Sequence, residues 1–267
     1  LEAATAIEKQ GSQELTQAEE ALAAKIRGKV DQASLTIPLV KLAQGQTREV
    51  VSGDAVAGEF LNSKTGESYG TEFEFIVADT FTGHFARIDG EGYNAQGPVA
   101  PDNWPPQYAG QAFAEIDDEE TNFKAAVNAG EREFGHGPPI SITHNYVGLI
   151  VTEDFEERAA QNRTLPVRLS LMRKNAKAAE TIDYLLLTWP APWSRTIKVK
   201  SSRDTNAKGD VFYKAEVTEG EPASTAVRSV AVNLATAAQS QKLELVGDDD
   251  EQEKPAKPVE TDGMEVG

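Results

Sequence analysis

Alternation of apolar and polar residues runs through the middle and second half of the chain. Phe73, Phe75 and Val77 alternate with Glu72, Glu74 and Ile76, the period-2 pattern of a half-buried strand. Residues 81–88 read as its hairpin partner. Residues 140–151 (ISITHNYVGLIV) predict a long central strand. Val167, Leu169 and Leu171 alternate with Arg168, Ser170 and Met172, and residues 195–201 and 211–217 alternate in the same way. Asp204 to Gly209 supply turn chemistry between those last two strands. Elsewhere the period changes. Ala176, Ala179, Ile182, Leu185, Leu186 and Trp189 follow helical spacing and predict an amphipathic helix over 174–189, stopped by Pro190 and Pro192. A second helix is expected over 222–241, with Pro222 near its first turn.

The flanks are less patterned. Residues 2–30, rich in Ala, Glu, Gln and Lys, read as helix interrupted at Gly11-Ser12. Residues 35–42 look extended, and Pro38 suggests an edge or terminal strand. Thr65-Gly66 is a plausible turn. Residues 89–139 are rich in Gly, Pro, Asp and Glu, and read as an excursion with a short helix near 119–129. The whole predicts a β-rich α+β fold: an OB-fold-like small β-barrel with flanking helices. Its expected parts are an N-terminal helical segment (1–32), the barrel (33–221), a C-terminal helix (222–246) and a disordered acidic tail (247–267).

Composition narrows the chemistry. The chain has 267 residues and no cysteine, which removes disulfides, thiolate metal sites and cysteine nucleophiles. No apolar run reaches the ~18 residues of a membrane helix, and no secretory leader is visible, so a cytoplasmic protein without membrane contact is expected. Phosphate-loop, nucleophile-elbow, zinc-helix and dinucleotide motifs are missing. No enzyme activity, cofactor or metal is therefore predicted. His84, His136 and His144 read as structural. The carboxylates Glu115, Asp117, Asp118, Glu119 and Glu120 lack calcium-loop spacing, and a metal-dependent nuclease built on them is the weaker alternative. Glu153, Asp154, Glu156 and Glu157 read as solvated.

The formal net charge is −17, which at first argues against a polyanionic partner. The charge is uneven, however. Residues 49–162 carry −16, residues 163–214 carry +7 and residues 247–267 carry −6. The basic segment contains Arg168, Arg173, Lys174, Lys177, Arg195, Lys198, Lys200, Arg203, Lys208 and Lys214, interleaved with Trp193 and Phe212. Cations that track phosphates and rings that stack on bases are the two requirements for holding a single strand. Strand parity places Lys198, Lys200, Phe212 and Lys214 on one outer face. A stacking platform fits that pattern, and so does a solvated face whose lysines prevent edge aggregation. The tail, with Asp248, Asp249, Asp250 and Glu251, could compete for a basic groove and dock partner proteins, or simply solubilise the chain.

Two stretches resemble known phage families. Ile37 to Gln44, Gly58 to Asn62 and Thr65 to Glu67 resemble a group of tailed-bacteriophage proteins. Pro166 to Val217 resembles phage single-stranded DNA-binding proteins with an oligonucleotide-binding barrel and an acidic tail. That resemblance implies sequence-independent coating of single-stranded DNA in phage replication and recombination, in the host cytoplasm. The basic residues above would then face DNA, and the tail would contact replication or recombination proteins. Self-association is compatible with the sequence. The alternative is a phage structural or assembly protein associated with the capsid.

Overall fold

A computed structural model describes residues 37–88, 91–116, 118–131, 139–161, 163–206 and 209–240. The expected N-terminal helix, the acidic tail with Asp248 to Glu251, and Lys208 lie outside the described residues. The strands are β1 (Leu39–Leu42), β2 (Phe60–Asn62), β3 (Glu72–Ile88), β4 (Glu91–Ala95), β5 (Ile140–Val151), β6 (Val167–Leu171), β7 (Arg195–Thr205) and β8 (Val211–Pro222). The helices are α1 (Arg48–Ser52), α2 (Phe113–Ile116), α3 (Asp118–Asn128), α4 (Phe155–Ala160), α5 (Ala176–Thr188) and α6 (Thr225–Ser240). No helix among the described residues is long and apolar enough to cross a membrane.

All the strands join one sheet in the order β2-β1-β6-β5-β3-β7-β8, with β4 paired to β3. Among the described residues only the β1–β6 pairing is parallel. The sheet is β-rich and curled into a half-barrel. The curl is visible in hydrogen bonds that bring remote strands together. Gln44, just after β1, donates its side-chain amide to the Tyr213 carbonyl at 3.1 Å and accepts from the Tyr213 N–H at 2.9 Å. Four strands separate β1 from β8 in the sheet order. The Asn175 side-chain oxygen accepts from the Ala215 N–H at 2.8 Å. Two side-chain amides thus stand where a ninth strand would pair with β8.

The alternation read from the sequence sets the two faces. Phe73, Phe75, Val77, Tyr146, Leu169, Leu171, Ile197, Val199 and Ala215 bury one face against Ala178, Ala179 and Ile182 of α5. Small alanines let the helix lie close to the strands. The Tyr146 hydroxyl donates to Asp183 at 2.8 Å and lies 3.1 Å from the Ala179 carbonyl. On the opposite face Ile76 and Leu149 meet Phe155 of α4 and Val227 and Ala231 of α6. A third cluster joins Trp104, Phe113 and Ile116 of the excursion to Ala86 and Ile140 at the far end of β3 and β5.

Several expectations need adjustment. Residues 72–88 form one continuous strand rather than a hairpin. A register shift between Val77 and Asp79 absorbs the break in alternation, as a β-bulge does. β1 is an interior strand, flanked by β2 and β6. Pro38 precedes it and contributes only its carbonyl, to the Arg168 N–H, so its missing donor costs nothing. Pro222 ends β8 rather than opening α6. The expected helix near 119–129 is α3, and β4 and α4 are additional elements. The turn at Thr65-Gly66 is present: Asn62 Oδ1 accepts from the Lys64 and Thr65 N–H groups, and Gly66 adopts φ 70°.

Gly148 is a close-approach point, because a Cβ there would overlap the Ile76 carbonyl oxygen and the Phe75 ring. Gly148→Ala is expected to destabilise at or beyond the upper end of the ~1–3 kcal/mol typical of overpacking, read by urea denaturation. Gln44→Ala removes both hydrogen bonds to Tyr213, with a longer one to the Leu42 carbonyl, and is expected to cost about 1–3 kcal/mol. Hydrogen exchange at the Tyr213 and Ala215 amides should accelerate in that variant more than exchange in β5; equal change throughout would argue against the Gln44 clasp.

Candidate nucleic-acid interface

The strands β7 and β8 carry Arg195, Lys198, Lys200, Arg203, Phe212 and Lys214 of the predicted site. Its register pairs Lys198 with Thr218, Lys200 with Glu216, Ser202 with Lys214 and Asp204 with Phe212. Ile197 and Val199 go to the core with Ala215. The even-numbered residues therefore share the outer face, as parity required.

What parity could not show is the strand on the other side of β7. β3 pairs Glu72 with Lys200 and Glu74 with Lys198. The lysine ammonium groups come to 3.9 Å and 3.8 Å from those carboxylates. At the hairpin end Lys214 reaches Asp204 at 2.8 Å. That hydrogen bond holds the Asp204 carboxyl below its ordinary range and lifts Lys214 above its own. Arg195 sits 2.7 Å from Glu219 and donates to the Gly220 carbonyl. The outer face is thus a ladder of compensated charges. A cation already neutralised by a carboxylate gives less to a phosphate than one neutralised only by salt ions.

The other predicted residues separate. Arg168 is only 9% exposed, so little of it can meet a ligand. Trp193 packs against the α4–α6 cluster and is committed to that core. Lys177 on α5 and Arg203 on β7 are exposed, and neither has an ion-pair partner among the described residues. Lys174 lies with its ammonium 5.2 Å from the Phe212 ring centroid, within cation–π range. Loss of solvation there lowers its pKa.

Residues 173–175 explain how this corner is built. Met172 is still extended, and α5 begins at Ala176. Between them Arg173 takes φ 51°; among the described residues it is the one non-glycine in that region. A side chain there costs roughly 1–2 kcal/mol. The twist sends three successive side chains to different places. The Arg173 Nε donates to Ser141 Oγ at 2.8 Å, with the guanidinium carbon 5.5 Å from the Phe85 centroid. Lys174 covers Phe212, and Asn175 caps the Ala215 N–H. Phe85 and Ser141 were not candidates from the sequence. Only the adjacent Arg173-Lys174 pair after a strand hinted at them.

Among the described residues no group of three or more His, Asp or Glu converges to hold an ion; His136, Asp117 and the side chains of Asp118, Glu119 and Glu120 lie outside the described residues. His144 instead lies 3.2 Å from Asp183, whose other oxygen accepts from Tyr146. Burial foremost, and then the Asp183 hydrogen bond, push the Tyr146 hydroxyl well above its usual pKa. His84 stacks on Phe113 with centroids 3.7 Å apart, a packing role.

Asp204 provides a pH test with a defined sign. Its folded pKa is depressed, so the hairpin pairing is complete above the ordinary aspartate value and is lost as pH falls through the folded one. In a Lys214→Ala variant the Asp204 titration, followed by carboxyl NMR, should move upward toward the ordinary range. The Thr205 N–H, which also donates to Asp204, should keep the recovery incomplete. An unmoved titration would remove Lys214 as the main cause.

The family model described as Pam3 phage gp34-like protein matches residues 8–244. The chain belongs to that family of bacteriophage proteins. No curated protein and no solved structure matches it.

Proposed function

We propose that this phage protein is a non-enzymatic, largely sequence-independent single-stranded DNA-binding protein. Its curled half-barrel, filled by one helix, is the kind of scaffold that oligonucleotide-binding barrels use. The observation that carries the reading is the Lys174–Phe212 pair, with exposed Lys177 on the helix that follows; Arg203, exposed on β7, has the parity of the opposite face. This corner supplies a ring and cations that the glutamates of β3 do not neutralise. The reading therefore moves the contact surface from the middle of the hairpin toward its Phe212 end. The acidic residues 247–267 compete for the same cations, and through Asp248 to Glu251 they offer a docking site to replication or recombination proteins.

A second reading, a structural or assembly protein of the virion, is favoured by one observation. Tyr184 and Leu187, one turn apart on α5, are 67% and 86% exposed, and paired apolar side chains of this kind suit protein contacts. Presence of the protein in purified virions would support that reading over the first.

Fluorescence anisotropy with labelled oligo-dT tests the DNA-binding reading. Binding is expected at low salt, weakening with a log–log slope near −0.7 per phosphate neutralised. Lys174→Ala should weaken binding and flatten that slope by about 0.7–1, whereas Lys198→Ala should change affinity less than about twofold, because exposed ion-paired lysines contribute little. A chain ending at residue 246 should bind more tightly at low salt. No binding by either the full chain or the shortened one would sink the reading.

A further inference from the structure

The lysines divide by what sits against the ammonium. Lys41, Lys198, Lys200 and Lys214 each face a carboxylate, at 3.1, 3.8, 3.9 and 2.8 Å. An ammonium beside a carboxylate must give up that attraction before its nitrogen can attack anything. Lys64 and Lys177 are exposed and have no such partner among the described residues. Lys174 belongs to neither group. It too is exposed, so a reagent can reach it, and among the described residues no carboxylate pairs with it. Its ammonium, however, lies 5.2 Å from the Phe212 ring centroid. On that side a ring stands where water would be. The loss of solvation lowers the Lys174 pKa, the direction that activates lysine nucleophiles. The left-handed backbone at Arg173 (φ 51°) and the start of α5 at Ala176 fix where its stem begins.

We infer that Lys174 is a modification site, selectively acylated by a small acyl phosphate, and that the acyl group switches off the phosphate contact of this corner. In the step, the lone pair of the neutral Lys174 Nζ attacks the carbonyl carbon of the donor. The C–N bond forms, the bond from that carbon to the phosphate oxygen breaks, inorganic phosphate leaves, and the amine proton passes to water. Nothing is oxidised or reduced. The resulting amide carries no charge and offers a phosphate nothing. An anionic donor suits a segment that also carries Lys177, in a chain whose net charge of −17 repels it elsewhere. The selectivity stands by itself, and its effect on binding rests on the single-strand reading above.

The test incubates the full chain with limiting acetyl phosphate and follows the occupancy of each lysine by peptide mass spectrometry. Lys174 should be acetylated roughly threefold or more faster than Lys64 and Lys177, because a lower pKa enlarges the neutral fraction more than it weakens the nucleophile. Phe212→Ser admits water beside the ammonium and should bring the Lys174 rate down to that of Lys177. Phe212→Leu keeps an apolar wall and should keep the preference. A wild-type Lys174 rate no higher than those of Lys64 and Lys177 overturns the inference, whatever the variants do. So does a preference that survives Phe212→Ser. The acetylated wild-type chain should bind oligo-dT more weakly, with a salt slope flattened by about 0.7–1, while the same treatment of Lys174→Ala should change its binding little. Equal loss in both chains overturns the switch. A wild-type chain that binds no oligo-dT overturns the single-strand reading and the switch with it, and the order of labelling still decides the modification site.

Discussion

A sheet that curls but stops short of closing leaves a strand whose outward N–H and C=O groups need partners. Here that strand is β8, and the partners are side chains. Gln44 serves the Tyr213 N–H and carbonyl, and Asn175 serves the Ala215 N–H. Gly58, at φ 96°, leaves room for the Tyr213 ring beside it. The rest of the architecture depends on this seam. It fixes the curvature that lets α5 bury Ala178, Ala179 and Ile182 inside the sheet. It also holds residues 173–175 in the geometry that aims Arg173 and Lys174 at different rings.

The seam also controls the electrostatics of the candidate interface. With net charge −17, the protein can attract a polyanion only through a local surface. β3 runs beside β7 and sets Glu72 and Glu74 against the two lysines of the hairpin middle. Those lysines then keep the strand face soluble and in register. Next to the seam, Lys174 faces a ring rather than a carboxylate. Placing the basic residues at the same sequence positions on a differently ordered sheet would produce a different surface.

Much of this was legible in the chain. Strand parity identified the faces of β7 and β8, and helical spacing identified α5, because both depend on local periodicity. The long β3 was harder. Its bulge at Ala78 breaks the alternation, and a local reading takes such a break for a turn. β4 and α4 are short and carry weak periodicity. Phe85 and Arg173 are far apart in the chain, and no pattern in the sequence connects them.

The sequence by itself determined the element types over most of the described chain, the inward and outward faces of the hairpin, the lack of cysteine chemistry and the segregation of charge. These follow from covalent identity and from the periods of 2 and 3.6 residues, which need no knowledge of neighbours. Only the tertiary structure decided which lysines are neutralised, which rings are buried and which cations remain to meet a ligand. Those outcomes depend on strand order and on the closing of the seam. Both are set by contacts between residues far apart in the chain, such as Gln44 with Tyr213 and Glu74 with Lys198.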